Sequence, residues 1–192
     1  SRGLGDVYKR QGERSIVSLL KNDFNAPGID SLIPNQADIN QTMSPDYSDI
    51  DWAQYVESKT IAPIYITGSR GCVKRCTFCN VYELWPDYRF RSGEHIAKEI
   101  MELRKRYKRH TFQFTDSLIN GSMKNMRNMM TALTNYRTVD PDWCWSSQYI
   151  IRPRSQSPES DFKMMRDSGC NWLDIGIESF SESVRYHMGK KF

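Results

Sequence analysis

Two adjoining stretches decide how this chain folds: Ile61-Ala62-Pro63-Ile64-Tyr65-Ile66-Thr67 and, a few residues on, Cys72-Val73-Lys74-Arg75-Cys76-Thr77-Phe78-Cys79. The first stretch is apolar, rich in β-branched residues and ends at Gly68, which predicts a buried strand. The second places three of the five cysteines within eight positions, directly after that strand. In a chain with no export signal, this crowding indicates a metal or redox site and not a disulfide framework.

Strand and helix patterns alternate from the cysteine loop to the end of the chain. Further strands are predicted at 111–115, 143–151 and 172–177. Apolar residues at helical spacing predict helices over 92–107, 122–133, from about 158 onward, and over 182–188. Ser92 and Ser122 are the predicted N-caps, and Phe162 and Met165 are expected to point inward from the third helix. Short connections between alternating elements predict parallel βαβ units and therefore an α/β fold.

The composition is that of a globular protein, since 39% hydrophobic and 26% charged residues exclude wholesale disorder. No apolar run of about 18 residues is present, so no membrane-spanning helix is expected. The N-terminus has no apolar segment after its early basic residues, which argues against a secretory signal and for a cytoplasmic location. The net charge of +4 is spread along the chain, and the basic run at 104–109 fits a solvated helix end. A nucleic-acid partner is therefore not expected.

Three parts of the chain differ in their residue patterns. Residues 1–11, which end in Asp6-Val7-Tyr8-Lys9-Arg10-Gln11, resemble a translated transposase recognition end used in sequencing libraries, with an ordinary polar tail as the alternative. Residues 12–58 are rich in turns and predict a linker or the remnant of an upstream domain, with 46–52 lying over the domain that follows. Residues 59–192 are the predicted α/β core. We expect this core to be cut short, because 189–192 follow a helix without a closing element.

The cysteine spacing is C-x3-C-x2-C, with Cys72, Cys76 and Cys79 as the predicted metal ligands. Thiolates this close converge on one metal centre, and three of them leave one coordination position open. A structural zinc site needs four ligands, usually from two cysteine pairs, and the chain lacks the second pair. The best match is therefore a cubane iron–sulfur cluster with one iron open to a substrate or cofactor.

The segment from Gly71 to Cys79, placed after a first strand, resembles the radical S-adenosylmethionine (SAM) superfamily. The resemblance implies that the three cysteines hold a 4Fe–4S cluster and that the amino and carboxylate groups of SAM chelate the fourth iron. It also implies that reductive cleavage of SAM yields a 5′-deoxyadenosyl radical, which abstracts hydrogen from the substrate. Phe78, the aromatic residue before the third cysteine, is then expected to lie against the SAM adenine.

Later stretches are similar to the branch of this superfamily that carries an N-terminal cobalamin-binding domain. They are Ser69-Arg70-Gly71-Cys72, Tyr88-Arg89-Phe90-Arg91-Ser92, Phe112-Gln113-Phe114-Thr115-Asp116-Ser117 and Gly176-Ile177-Glu178-Ser179. The resemblance implies an incomplete (βα) barrel of the TIM type, with about four of six βα units, preceded by an irregular linker. It also implies that the linker is left from a missing cobalamin-binding domain, through which cobalamin would be a further cofactor.

Six residues are implied to bind the cofactor: Phe78, Asp116, Ser117, Gln148, Arg152 and Glu178. Asp116 and Glu178 each follow a strand, and parallel α/β folds bind ligands at the carboxyl ends of their strands. Asp116 lies where the family usually has a Gly-Gly-Glu triplet, and it could contact the SAM amino group or instead cap the next helix. Gln148 and Arg152 share a face by parity and could reach SAM or substrate. No residue is assigned a catalytic role.

The implied function is that of a radical SAM enzyme that drives methylation, cyclisation or rearrangement of an unknown substrate. A small-molecule, lipid, tetrapyrrole or peptide-like substrate is expected, with an electron donor of the flavodoxin or ferredoxin type. Lys74 and Arg75 would offset the negative charge of the cluster. Because an unclosed barrel leaves a free strand edge, this chain alone is expected to be poorly soluble and weakly active.

Two alternatives stay open. A radical SAM enzyme that modifies tRNA, such as a methylthiotransferase, would need a second cluster domain and an RNA-binding domain beyond this chain. A non-catalytic zinc-binding module would need a fourth ligand from Cys144, Cys170 or a histidine, within about 4 Å of the other sulfurs. From the sequence, Cys144 and Cys170 are expected to be small buried hydrophobic residues, and His95 and His110 are too remote to serve.

Overall fold

The computed structural model describes residues 17, 20–21, 39–41, 44–55 and 62–190. The predictions for residues 1–11 and for most of 12–58 lie outside these ranges, as do the last two residues of the chain. Ahead of residue 62, the described residues include short 3-10 helices at Ile39–Gln41 and Trp52–Tyr55.

Two sheets form in the described residues. In chain order, the strands are β1 (Ile64–Ile66), β2 (Ser69–Arg70), β3 (Arg89–Phe90), β4 (Thr111–Phe114), β5 (Cys144–Tyr149) and β6 (Cys170–Ile175). The larger sheet has the order β1-β4-β5-β6 and is parallel throughout, whereas β2 and β3 form a separate antiparallel pair. The predicted α/β fold is therefore confirmed, and no closed barrel forms within the described ranges.

Helices alternate with the strands of the larger sheet. They are α1 (Val81–Leu84), α2 (Gly93–Tyr107), α3 (Met123–Arg137), α4 (Glu159–Asp167) and α5 (Glu182–His187). Ser92 and Ser122 cap α2 and α3 as predicted, since each side chain accepts a hydrogen bond from the backbone N–H three residues on. The apolar stripes of both helices join Ile64, Phe112 and Trp145 in the core, which covers one face of the sheet.

The other face of the sheet carries a different set of side chains, because successive residues of a strand point to opposite faces. In the sheet register, Tyr65 lies opposite Gln113, Gln113 opposite Ser146, and Ser146 opposite Trp172. Tyr65 and Trp172 are both more than half exposed. This inner face is therefore open among the described residues, whereas the outer face is packed under helices.

The last predicted strand and the third predicted helix differ in detail from the structure. The strand predicted at 172–177 begins instead at Cys170, because Gly169, at φ +97°, ends the preceding helical segment and its carbonyl accepts from the Trp145 N–H. Phe162, predicted to point inward, is 50% exposed, although Met165 is buried as expected. Helix α4 packs beside β6, which is the edge strand of the described sheet, so only part of its apolar face is covered.

The segment 44–52 packs on the end of α2, as the sequence predicted. The rings of Tyr47, Trp52 and Tyr107 contact one another at centroid distances of 5.7 to 6.2 Å. The Tyr107 hydroxyl donates to the Asp46 carboxylate, and this and neighbouring hydrogen bonds, above all from the Ser48 N–H, lower the Asp46 pKa to about 2. In the described part of the chain, no helix is both long and apolar enough to cross a membrane.

Candidate metal and cofactor site

The three clustered cysteines lie on a loop whose two ends are joined by the β2–β3 pair. Ser69 pairs with Phe90 and Arg70 with Arg89, so the chain leaves the sheet and returns to the same place. Gly71 begins the loop at φ +88°, and a Cβ there would lie 2.6 Å from the Asp87 carbonyl oxygen. Only glycine fits where these two chain segments approach so closely, which explains why a Gly-Cys pair opens the motif.

The loop brings its three thiols to one cavity of about 640 Å³. Cys76 is buried, while Cys72 and Cys79 are partly exposed, and none is in a disulfide. The backbone N–H of Lys74 donates to the Cys72 sulfur at 3.4 Å. Burial raises the pKa of the Cys76 thiol, the other two thiols raise it further, and the cations of Lys190 and Lys74 oppose the shift. Because the pKa of Cys76 is raised overall, a metal that binds there has to displace the thiol proton.

The geometry of the donor set favours a cluster over a single metal ion. Among the described residues, no three His, Cys, Asp or Glu side chains converge closely enough to hold one metal ion. One zinc ion would bring its sulfurs to within about 4 Å of one another, whereas a 4Fe–4S cluster spreads its cysteines over different irons. Three separate thiols around one cavity therefore fit the larger group.

The remaining candidate ligands lie away from this loop. Cys144 and Cys170 are the first residues of β5 and β6, and both are partly buried, not fully buried as predicted. Because the cysteine loop follows the carboxyl end of β1, the two lie at the opposite edge of the parallel sheet. His110 precedes β4 and pairs with Asp142, while His95 pairs with Ser92 at the start of α2. The fourth ligand required by a closed zinc site is absent from the described residues.

Four of the six predicted cofactor-binding residues line the same cavity as the cysteines. They are Phe78, Ser117, Gln148 and Glu178. Arg152 does not line the cavity. Its guanidinium donates to the carbonyl oxygens of Asn120 and Gly121, at 2.8 and 3.2 Å, because the chain turns after β5 and carries this side chain towards the loop after β4.

Asp116 also lies outside the cavity lining, and its side chain is held by hydrogen bonds within the chain. Its side chain is 2% exposed and accepts hydrogen bonds from the Gly68 N–H at 2.7 Å and the Ser69 hydroxyl at 2.6 Å. Helix α3 is capped by Ser122, so the alternative that Asp116 caps this helix is wrong. Burial raises the Asp116 pKa to about 6 against the opposing effect of these hydrogen bonds. Asp116 thus fastens the end of β4 to the residues that lead into the cysteine loop.

Lys190 is a cavity residue that sequence reasoning missed. Its ammonium lies 2.7 Å from Glu178 Oε1 and 5.9 Å from the centre of the Phe78 ring. Gly189, at φ +69°, ends α5 in a Schellman-type turn in which the Lys190 N–H donates to the Arg185 carbonyl. A glycine directly after a helical pattern was the available signal.

The end of α5 also docks directly on the cysteine loop. The Thr77 N–H donates to the Met188 carbonyl at 3.0 Å, and a Cβ on Gly189 would lie 2.9 Å from the Arg75 carbonyl. The loop after β1 and the helix after β6 therefore meet over the same edge of the sheet, with Glu178, Lys190 and Phe78 between them.

Comparison with known proteins agrees with this geometry. Residues 66–192 match the sequence model of the radical SAM superfamily. The chain belongs to the radical SAM superfamily. The superfamily predicted from the cysteine motif, its class as an enzyme and its cofactors, a 4Fe–4S cluster and SAM, are thereby confirmed, and the three thiols around one cavity fit that cofactor pair.

Several curated proteins are similar to the chain. Cytidylyl-2-hydroxyethylphosphonate methyltransferase of Streptomyces wedmorensis is 24% identical over 189 residues, which cover 93% of this chain and 34% of that protein. The ribosomal protein uS12 methylthiotransferase RimO of Clostridium novyi is 29% identical over 156 residues, covering 79% and 35%. The anaerobic magnesium-protoporphyrin IX monomethyl ester cyclase of Rubrivivax gelatinosus is 30% identical over 66 residues, covering 34% and 12%. The chain thus spans about a third or less of these relatives.

A solved structure shows the same fold. The radical SAM methyltransferase TsrM from Kitasatospora setae, solved with cobalamin and a 4Fe–4S cluster bound, superposes with a TM-score of 0.54 at 20% identity. The match covers 65% of this chain and 22% of that one. The larger parallel sheet with its alternating helices is therefore the radical SAM type of α/β fold.

Proposed function

We propose that this chain is the cofactor-binding part of a radical SAM enzyme, in which Cys72, Cys76 and Cys79 hold a 4Fe–4S cluster. The observation that carries the proposal is the meeting of these three thiols with Phe78, Glu178 and Lys190 around one cavity. The three thiols would hold the cluster, and a reduced cluster would supply the one electron needed to cleave SAM reductively into methionine and a 5′-deoxyadenosyl radical.

The residues beside the thiols match the chemistry of SAM. The Phe78 ring is 55% exposed, so one face is available to stack on the adenine. Lys190 offers an ammonium to the SAM carboxylate, and Glu178 offers carboxylate oxygens to the ribose hydroxyls. In the described structure these two side chains neutralise each other, which keeps both in place at low electrostatic cost until the ligand arrives.

For the whole protein, we propose methylation, cyclisation or rearrangement of a small-molecule, lipid, tetrapyrrole or peptide-like substrate. The similarity to a phosphonate methyltransferase and to a porphyrin ester cyclase supports this range. Cobalamin bound by an upstream domain would supply the methyl group in the first case, as the cobalamin in the TsrM structure suggests. A flavodoxin or ferredoxin type of protein would supply the electron.

Methylthio transfer is the second candidate reaction. The similarity to the RimO of Clostridium novyi, which acts on a ribosomal protein, extends over 79% of this chain and favours methylthio transfer. This chemistry requires a second cluster, and the described residues contain one set of clustered cysteines. The second cluster would therefore be held by parts of the protein outside the described residues.

Anaerobic reconstitution tests the proposal. Iron, sulfide and zinc are counted per chain, the EPR spectrum of the reduced protein is recorded with and without SAM, and 5′-deoxyadenosine is measured by chromatography. We expect about four irons per chain and a spectrum that changes when SAM is added. Stoichiometric zinc, or an iron signal that SAM does not change, would overturn the proposal.

A further inference from the structure

The inner face of the sheet places a carboxylate at the same cavity as the cysteines. In the register of β5 and β6, Gln148 lies opposite Asp174, so both side chains point to the same face. Both residues line the cavity, and Asp174 is exposed to it. Nothing in the cofactor set described above accounts for this aspartate.

Asp174 lies further from the carboxyl ends of the strands than the residues beside the cysteine loop. It is within β6, whereas Gly176 and Glu178 follow the carboxyl end of that strand. A strand rises about 3.3 Å per residue, so Asp174 lies about 7 Å further into the sheet than Gly176. The cavity therefore has an outer end, with the thiols, Glu178 and Lys190, and an inner end, with Gln148 and Asp174.

The carboxylate at the inner end is oriented but not neutralised. The indole N–H of Trp172 donates to Asp174 Oδ1 at 2.8 Å, which fixes the side chain in one direction. Within the described ranges, no lysine, arginine or histidine forms an ion pair with Asp174, whereas Glu178 at the outer end is paired with Lys190. Among the cavity residues, Asp174 is thus the described carboxylate that has a neutral donor as its partner.

A carboxylate left without a cation becomes costly once ligands displace the water around it. A partner with a positive charge and N–H donors removes this cost, since charge-assisted hydrogen bonds are about twice as strong as neutral ones. The amide of Gln148, which lies opposite Asp174 on the neighbouring strand, adds a further hydrogen-bond acceptor and donor.

We propose that Asp174, oriented by Trp172, binds a cationic nitrogen group of the substrate, an ammonium or a guanidinium, at the inner end of the cavity. The proposal rests on the proposed function, because it assigns the outer end to SAM. It names a substrate class, an organic cation, and places the bound substrate between the inner face of the sheet and the cofactor.

Two probes of matched size test this inference: benzylammonium and benzyl alcohol. Their dissociation constants are measured by saturation-transfer NMR at pH 7.5 on the reconstituted chain with excess SAM, and again on the metal-free chain. We expect benzylammonium to bind about tenfold more tightly than benzyl alcohol. Asp174→Asn, which keeps an acceptor for Trp172, should make the two constants equal. The matched control is Asp167→Asn, which neutralises an exposed aspartate at the end of α4 and should keep the tenfold difference.

Three outcomes overturn the inference: equal binding of the two probes to the unmodified chain, a preference that survives Asp174→Asn, or displacement of benzylammonium by SAM, which would assign Asp174 to the cofactor. The first of these needs no variant, so a folding defect in Asp174→Asn leaves the inference testable. Failure of the proposed function has a different signature, because it is detected as missing iron or a SAM-indifferent spectrum in the same sample. Missing iron does not change the ratio of the two dissociation constants, because this ratio is also measured on the metal-free chain.

Discussion

The five cysteines form two groups at opposite ends of the strands of one parallel sheet, and the two groups differ in their surroundings. Cys72, Cys76 and Cys79 lie beyond the carboxyl ends of the strands and share a cavity. Cys144 and Cys170 begin β5 and β6 at the amino edge. In parallel α/β folds the carboxyl edge is the one that binds ligands, because loops there are free to carry function.

The two groups also differ in the charges that surround their thiols. At the carboxyl edge, burial raises the pKa of the Cys76 thiol, and the cations of Lys190 and Lys74 oppose this shift. At the amino edge, burial and the nearby Cys144 raise the pKa of Cys170 to about 11, although a hydrogen bond with the backbone of Trp172 opposes the shift. A thiol that resists ionisation is a poor metal ligand and a poor nucleophile. Placement, and not residue type, therefore separates the candidate ligands from the structural cysteines.

The largest effect is expected from serine substitutions compared between the two edges. Cys76→Ser removes one of the three proposed iron ligands and should lower the iron bound after reconstitution by more than about tenfold. Cys144→Ser and Cys170→Ser, made as matched controls at the amino edge, should leave iron content and the SAM-dependent EPR change as they are. Loss of iron in either control would contradict the separation of the two groups.

A smaller effect is expected at Asp116, whose buried carboxyl group joins the end of β4 to Gly68 and Ser69. Its pKa is raised by burial from an ordinary 3.8 to about 6, so the folded chain holds an extra proton between these pH values. The stability from this group is complete below pH 3.8 and is lost as the pH rises through about 6, a change of about 3 kcal/mol. Asp116→Asn cannot titrate and should lack this component.

The measurement for Asp116 is urea unfolding of both proteins from pH 4 to pH 7. Other carboxylates with lowered pKa values, such as Asp140 and Asp161, titrate in both proteins, so their contributions cancel in the difference. The free energy of unfolding of the unmodified chain should fall relative to that of Asp116→Asn across this range. A difference that does not change with pH would show that the carboxyl is not held in the buried position described.

The smallest of the three effects is expected at the helix that closes over the cysteine loop. Lys190→Gln removes the cation beside Phe78 and leaves Glu178 without its partner. The affinity for SAM, titrated by EPR, should fall about tenfold, which is the loss of one charge-assisted contact. Lys163→Gln on the exposed side of α4 serves as the control. Equal affinities in both variants would remove Lys190 from the cofactor site.

Patterns between near neighbours in the chain carried most of the correct predictions. The C-x3-C-x2-C spacing, the N-caps Ser92 and Ser122, and the alternation of strands and helices all depend on residues a few positions apart. The predictions that differ from the structure concern residues whose placement depends on contacts with distant parts of the chain. Phe162 is half exposed because its helix lies beside an edge strand, and Arg152 turns away from the cavity towards carbonyl groups about thirty residues earlier.

The sequence alone determined the superfamily, because the C-x3-C-x2-C spacing after a strand is a pattern of near neighbours in the chain. It also determined the parallel α/β class, since short connections between alternating patterns leave few other topologies. Only the tertiary structure decided which distant groups face those thiols. Lys190 reaches the cavity through a glycine turn more than a hundred residues beyond Cys79, and Asp174 reaches it through strand register. These placements depend on contacts between remote parts of the chain, which no local pattern encodes.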